Sequence, residues 1–157
     1  MNKTISPAPV RRSVTVKASQ ARAFEVFTTS IGSWWPKSHH TGPSEPETVV
    51  IEPVESGRWY ERGVDGVETQ VGHVLVWDPP SRLVLAWQLS AEWRFDPDLI
   101  TEVEVRFIAE GDGSTRVELE HRNLERFGDK AEAVSQSIGA PNGWGAILAL
   151  YAQAAGE

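Results

Sequence analysis

ITEVEVRFIAEGDGSTRVELEHRN, residues 100–123, reads as two alternating runs about a turn. Val103, Val105 and Phe107 fall on one face of the first run, and Glu102, Glu104 and Arg106 on the other. After GDGS (111–114) the alternation resumes, with Val117, Leu119 and His121 opposite Arg116, Glu118, Glu120 and Arg122. A period of two marks a half-buried strand, and a Gly/Asp turn between two such runs marks a hairpin. The charged residues of the two strands are expected to form a cross-strand lattice on the solvent face, not a catalytic carboxylate pair. The apolar face then needs a partner.

The same pattern extends toward the N-terminus. RLVLAWQLS (82–90), VETQVGHVLVW (67–77), RWYER (58–62) and TVVIEPV (48–54) read as strands, joined at DPPS (78–81) and at VDG (64–66). EWRFDPD (92–98) interrupts them. Connections this short make the sheet antiparallel. VRRSVTVKA (10–18) is a first strand, with Val14 and Val16 on one face. Ser19 then stands as a helix N-cap. Phe24, Phe27, Thr28 and Ile31 follow at the i, i+3, i+4, i+7 spacing of an amphipathic helix that ends near Gly32. SWWP (33–36) reads as a short helical turn or a loop, and 37–47 as a loop.

Toward the C-terminus, DKAEAVSQSI (129–138) is a helix broken or kinked by GAPNG (139–143). Trp144, Ile147, Leu148 and Tyr151 repeat the helical spacing, and only the sheet is large enough to cover that stripe. Residues 1–9 read as a loose tail, and 1–157 as a single domain without repeats.

Composition narrows the function classes. A net charge of −7 with scattered Lys and Arg disfavours nucleic acid and anionic membrane surfaces. The absence of cysteine removes disulfides, thiolate nucleophiles and Cys-type metal sites, and is compatible with a reducing cytoplasm. The N-terminus lacks the apolar stretch of a signal peptide, and the longest apolar runs are too short to span a bilayer. The expectation is a soluble, cytoplasmic protein. The unusual feature is tryptophan, seven in 157 residues. Such rings fill cores or stack on flat ligands.

The order of elements resembles the helix-grip fold of the START-like superfamily, also called SRPBCC or Bet v 1-like. SGRWYERGVDG (56–66), GHVLVWDPPSRLVLAWQ (72–88), TEVEVRF (101–107), TRVELEHRNLERFG (115–128) and GWGAILALYA (143–152) are similar to one branch of it, the activator-of-heat-shock-protein-90-ATPase-like family. The resemblance covers nearly the whole chain. It implies an α+β domain in which a curved antiparallel sheet of about seven strands wraps a long C-terminal helix, with two short helices after the first strand and a ligand-sized cavity between sheet and helix. The eukaryotic co-chaperone that names the family carries a second, N-terminal domain for which this chain has no room.

Alternation and the implied cavity together nominate a ligand-binding wall of Trp35, Trp59, Leu85, Trp87, Trp93, Val105, Phe107, Leu119, His121, Trp144 and Leu148. One of Trp34 and Trp35 is expected to roof the cavity while the other packs on the first helix. Trp93 and Phe95 are expected at its entrance. His121 interrupts an apolar face, either as a core histidine satisfied by hydrogen bonding or as a polar anchor for ligand. His73 is a weaker candidate, since a bulge at Gly72 would turn it away. The adjacent His39 and His40 lack metal-site spacing and are expected to be exposed. No nucleophile elbow, phosphate loop or metal motif is present, and neither a metal nor a cofactor is expected. Glu61, Glu92, Asp96 and His121 are the side chains able to act as acid or base. The expected function is binding of a small hydrophobic ligand, aromatic or lipid-like. The alternatives are a cyclase-, aromatase- or hydrolase-type enzyme using the same cavity, or a co-chaperone-like interaction module. A homodimer is left open.

Overall fold

In the computed structural model the described residues are 8–36, 45–111, 113–141 and 143–156. His39 and His40 lie outside them. Seven strands form one curled antiparallel sheet: β1 (Val10–Val16), β2 (Pro46–Ile51), β3 (Arg58–Gly63), β4 (Glu68–Asp78), β5 (Arg82–Trp87), β6 (Thr101–Ala109) and β7 (Thr115–Arg122). Their order is β1-β7-β6-β5-β4-β3-β2. Strands β2 to β7 are joined to their neighbours in sequence, and β1 closes the far edge by pairing with β7, Val14 opposite Val117.

Helix α1 (Gln20–Thr28) starts where Ser19 Oγ accepts the Arg22 amide at 3.2 Å. Its Phe24 and Phe27, with Thr28, are buried against the concave face of the sheet, as is Ile31 in the 3₁₀ turn Ile31–Ser33. Burying each phenylalanine contributes about 2 kcal/mol. A 3₁₀ stretch (Leu124–Lys130) leads from β7 into α2 (Ala131–Gly139). The last helix, α3 (Trp144–Ala155), packs on β1 and α1. Helix α2 ends at Gly139 and α3 begins at Trp144, so the C-terminal helix itself has 12 residues. Gly143 makes the break sharp, because a Cβ there would sit 2.2 Å from the Ile138 carbonyl oxygen.

The convex face carries the charge lattice. Glu104 is nearly inaccessible and accepts from Arg82 at 2.5 Å, Arg122 at 2.6 Å and Arg106 at 3.2 Å. Burial alone would raise its pKa, but the three guanidinium groups outweigh it and hold the carboxyl at about 2. Arg122 also grips Glu102 at 2.9 Å, and Arg11 reaches Glu120 at 2.7 Å. This ladder locks β1, β7, β6 and β5 in register from outside, while the apolar side chains of the same strands face the helices.

A tryptophan and histidine cage under the last helix

The inward face of β3 carries Trp59, paired across with Ile51 on β2 and Gly72 on β4. Gly72 is also paired with Trp87, the last residue of β5. A Cβ on Gly72 would lie 1.8 Å from the Ala86 oxygen and 3.1 Å from the Trp59 ring. Only glycine leaves room for the two indoles to lean toward each other, and their centroids are 5.7 Å apart. Trp144, at the start of α3, meets Trp87 at 5.6 Å, and Trp35 meets Trp59 at 5.9 Å and Trp144 at 6.1 Å. All four contacts are edge-to-face, the arrangement that the ring quadrupole favours.

His121 lies in this cage, 5.0 Å from Trp87 and fully buried. Its Nδ1 accepts from the Trp144 indole at 3.1 Å, and its Nε2 lies 2.8 Å from Thr101 Oγ1. An indole nitrogen can only donate, so Nδ1 carries no proton. The ring proton is therefore on Nε2 and is donated to Thr101. Burial pushes the His121 pKa down to about 3, so the imidazole is neutral near pH 7. It has no vacant nitrogen and no charge to offer. Thr101 was not among the residues singled out from sequence, although it continues the inward alternation of Val103, Val105 and Phe107.

Two polar atoms of the cage are unmatched. Trp59 Nε1 and Trp87 Nε1 are buried and have no hydrogen-bond partner among the described residues. Each such donor costs about 1–3 kcal/mol. Trp93, 40% exposed, lies over the outer edge of Trp87 at 6.3 Å, in the turn that follows Leu89. Its φ of +63° is in the left-handed region that bulky side chains avoid. Phe95, also exposed, forms a bridge with Leu89.

The remaining predicted wall residues separate. Leu85, Val105, Leu119 and Leu148 belong to the buried core between sheet and helices. Phe107 is at the other end of that core, 5.1 Å from Phe24 and 5.9 Å from Phe27. Trp34 turns to α1, donating to the Val26 oxygen at 2.8 Å, while Trp35 faces the cage. His73 is on the convex face, where its Nδ1 lies 2.7 Å from Gln88 Oε1. A register shift beside it, between Trp59 and Tyr60 on β3, leaves Gly72 and Val74 on the inward side.

Of the acid–base candidates, Glu92 is exposed and paired with Lys130, and Asp96 Oδ1 accepts the Asp98 amide at 3.0 Å. Glu61 differs. It shares the inward face with Trp59, pairs across with Val49, and is 6% exposed. Among the described residues no group of three or more His, Asp or Glu side chains is placed to hold a metal ion, and no helix is long and apolar enough to cross a membrane.

An anthrahydroquino-Gama-pyrone synthase, Txn09, solved in complex with SUM, is 40% identical, with 95% of this chain and 97% of that chain covered and a TM-score of 0.66. The self-sacrificing resistance protein CalC from Micromonospora echinospora is 36% identical, with 94% of each chain covered and a TM-score of 0.70. Protein NE0264 from Nitrosomonas europaea, 13% identical with 94% of each chain covered and a TM-score of 0.66, shares the fold. No curated protein sequence matches. Residues 17–155 match the family described as activator of Hsp90 ATPase homolog 1-like protein, and the chain belongs to that family.

Proposed function

We propose that this protein binds a small, flat, mostly apolar ligand against the cage of Trp35, Trp59, Trp87, His121 and Trp144. The observation that carries the reading is the pair of buried indole N–H groups without partners, Trp59 and Trp87. A solid core seldom leaves such groups unmatched, whereas pockets combine apolar walls with a few placed polar atoms. Likeness to an anthrahydroquino-Gama-pyrone synthase at 40% identity supports an aromatic ligand over a lipid-like one. The reading places the protein in the cytoplasm, with which a cysteine-free chain is compatible. Its test is native mass spectrometry of freshly purified protein against the same sample denatured, with calorimetric titration of naphthalene alongside. An extra mass lost on denaturation, or saturable naphthalene binding, is the expected result. Absence of both overturns the reading.

A second reading, an enzyme using the same site, is favoured by Glu61, a buried carboxylate two residues from Trp59 on the inward face. In that reading Glu61 removes or supplies a proton on the ligand. The compound recovered from the protein should then differ from that recovered from Glu61→Gln, product in one case and substrate in the other. Identical compounds exclude this role for Glu61.

A further inference from the structure

We infer that Trp59 and Trp87 form a pair of hydrogen-bond donors for the oxygen atoms of a carbonyl-bearing ring, a quinone or aryl ketone in its neutral or oxyanion form. The inference rests on the reading that the cage holds a flat ligand, and it adds which flat ligand.

The Trp144 N–H is engaged by His121, the Trp34 N–H by the Val26 oxygen, and the Tyr151 hydroxyl by the Ala23 oxygen at 2.8 Å. Both nitrogens of His121 are occupied. Among the described residues, the buried indole N–H groups without a partner are those of Trp59 and Trp87. They belong to one structural unit, because both residues pair with Gly72, one from each side. Their Cα atoms are thus about 10 Å apart, two strand spacings, and the rings lean inward over the missing side chain until their centroids are 5.7 Å apart. Aromatic cages also suit quaternary ammonium ions, but such a cation has no lone pair for either N–H. An oxygen-bearing ring satisfies both features at once, its π-face against the indoles and its oxygen on the donors.

Calorimetric titration with naphthalene and 1,4-naphthoquinone separates the two. They share a fused-ring outline and differ by two carbonyl oxygens, and the chain has no thiol for a quinone to arylate. The wild-type protein is expected to bind the quinone at least tenfold more tightly than the hydrocarbon. Trp59→Phe and Trp87→Phe keep a ring and remove the N–H, and each should reduce that ratio about fivefold, the equivalent of one ordinary hydrogen bond. Thermal melts check that both variants fold. A wild-type ratio near one, or a preference that survives both substitutions, overturns the inference and assigns the two N–H groups to neighbouring ring faces or to water. Naphthalene binding in that case leaves the broader reading intact. Failure of both compounds to bind overturns the inference, and the broader reading falls with it only where no extra mass is lost on denaturation.

Discussion

The two ends of the concave face are built from the same kind of side chain and differ in how their polar atoms are matched. At the α1 end, Phe24, Phe27, Phe107, Trp34 and Tyr151 meet edge to face or tilted at 5.1–5.9 Å. There the Trp34 N–H, the Tyr151 hydroxyl and the Thr28 hydroxyl all reach backbone oxygens. At the other end, Trp59, Trp87, Trp35 and Trp144 meet at similar distances, yet two of the four indoles have no acceptor among the described residues. Ring density does not distinguish a core from a site here. Satisfaction of hydrogen bonds does, because an unmatched buried donor is a standing cost that a well-made core avoids.

Mutations sharpen that contrast. The largest effect is expected at the satisfied end, where Phe27→Ala should lower unfolding free energy by about 3–5 kcal/mol in urea titrations. Next comes pH. A histidine in an unfolded chain titrates near 6.5, whereas folded His121 titrates at about 3. Below pH 6.5 the unfolded chain therefore takes up a proton that the folded one refuses. The stability is whole above that pH and is lost as pH falls toward 3, by up to about 1.4 kcal/mol per pH unit. Glu104, held at about 2, adds its own loss only below its ordinary value of 4.5. The window from 6.5 to 4.5 thus isolates His121, and His121→Gln should flatten the slope there, whatever its absolute stability. A slope unchanged by that substitution would place the titrating group elsewhere.

The same substitution should then cost stability at one end and not at the other. Trp34→Phe removes a matched hydrogen bond and should cost about 1 kcal/mol. Trp87→Phe removes an unmatched donor, so the ligand-free protein should be unchanged or stabilised by up to about 1 kcal/mol. Equal losses at both positions would erase the distinction. The smallest effect belongs to the rim. Trp93→Gly relieves a left-handed φ and gives up one partly exposed ring contact, and the two should nearly cancel, within about 1 kcal/mol.

Much of this architecture follows from local pattern. Alternation placed Val103, Val105, Leu119 and His121 on one face and the Glu–Arg lattice on the other, Ser19 announced α1, and the hairpin turns set the antiparallel order. What local pattern left open depends on contacts distant in sequence. The tautomer of His121 is set by Trp144, 23 residues away. The side taken by His73 depends on one extra residue in β4, whose effect a second register shift between Val74 and Val76 undoes. Phe107 shares a face with Val103, but it lies four residues along β6 and so joins the α1 phenylalanines. Seven tryptophans were visible as a number. Which of them lacked acceptors was not, since that depends on backbone oxygens supplied by other elements.

The packing of the rings also has an electronic side. Trp93, Trp87, Trp59, Trp35, Trp34 and Tyr151 make an unbroken series, each centroid 5.3–6.3 Å from the next, from an exposed turn to the middle of the domain. Excitation or an oxidising equivalent arriving at any one of these rings is shared along the series. An electron-accepting guest beside Trp87 would therefore dim the emission of the five indoles in the series, which runs from the interior out to Trp93 at the surface.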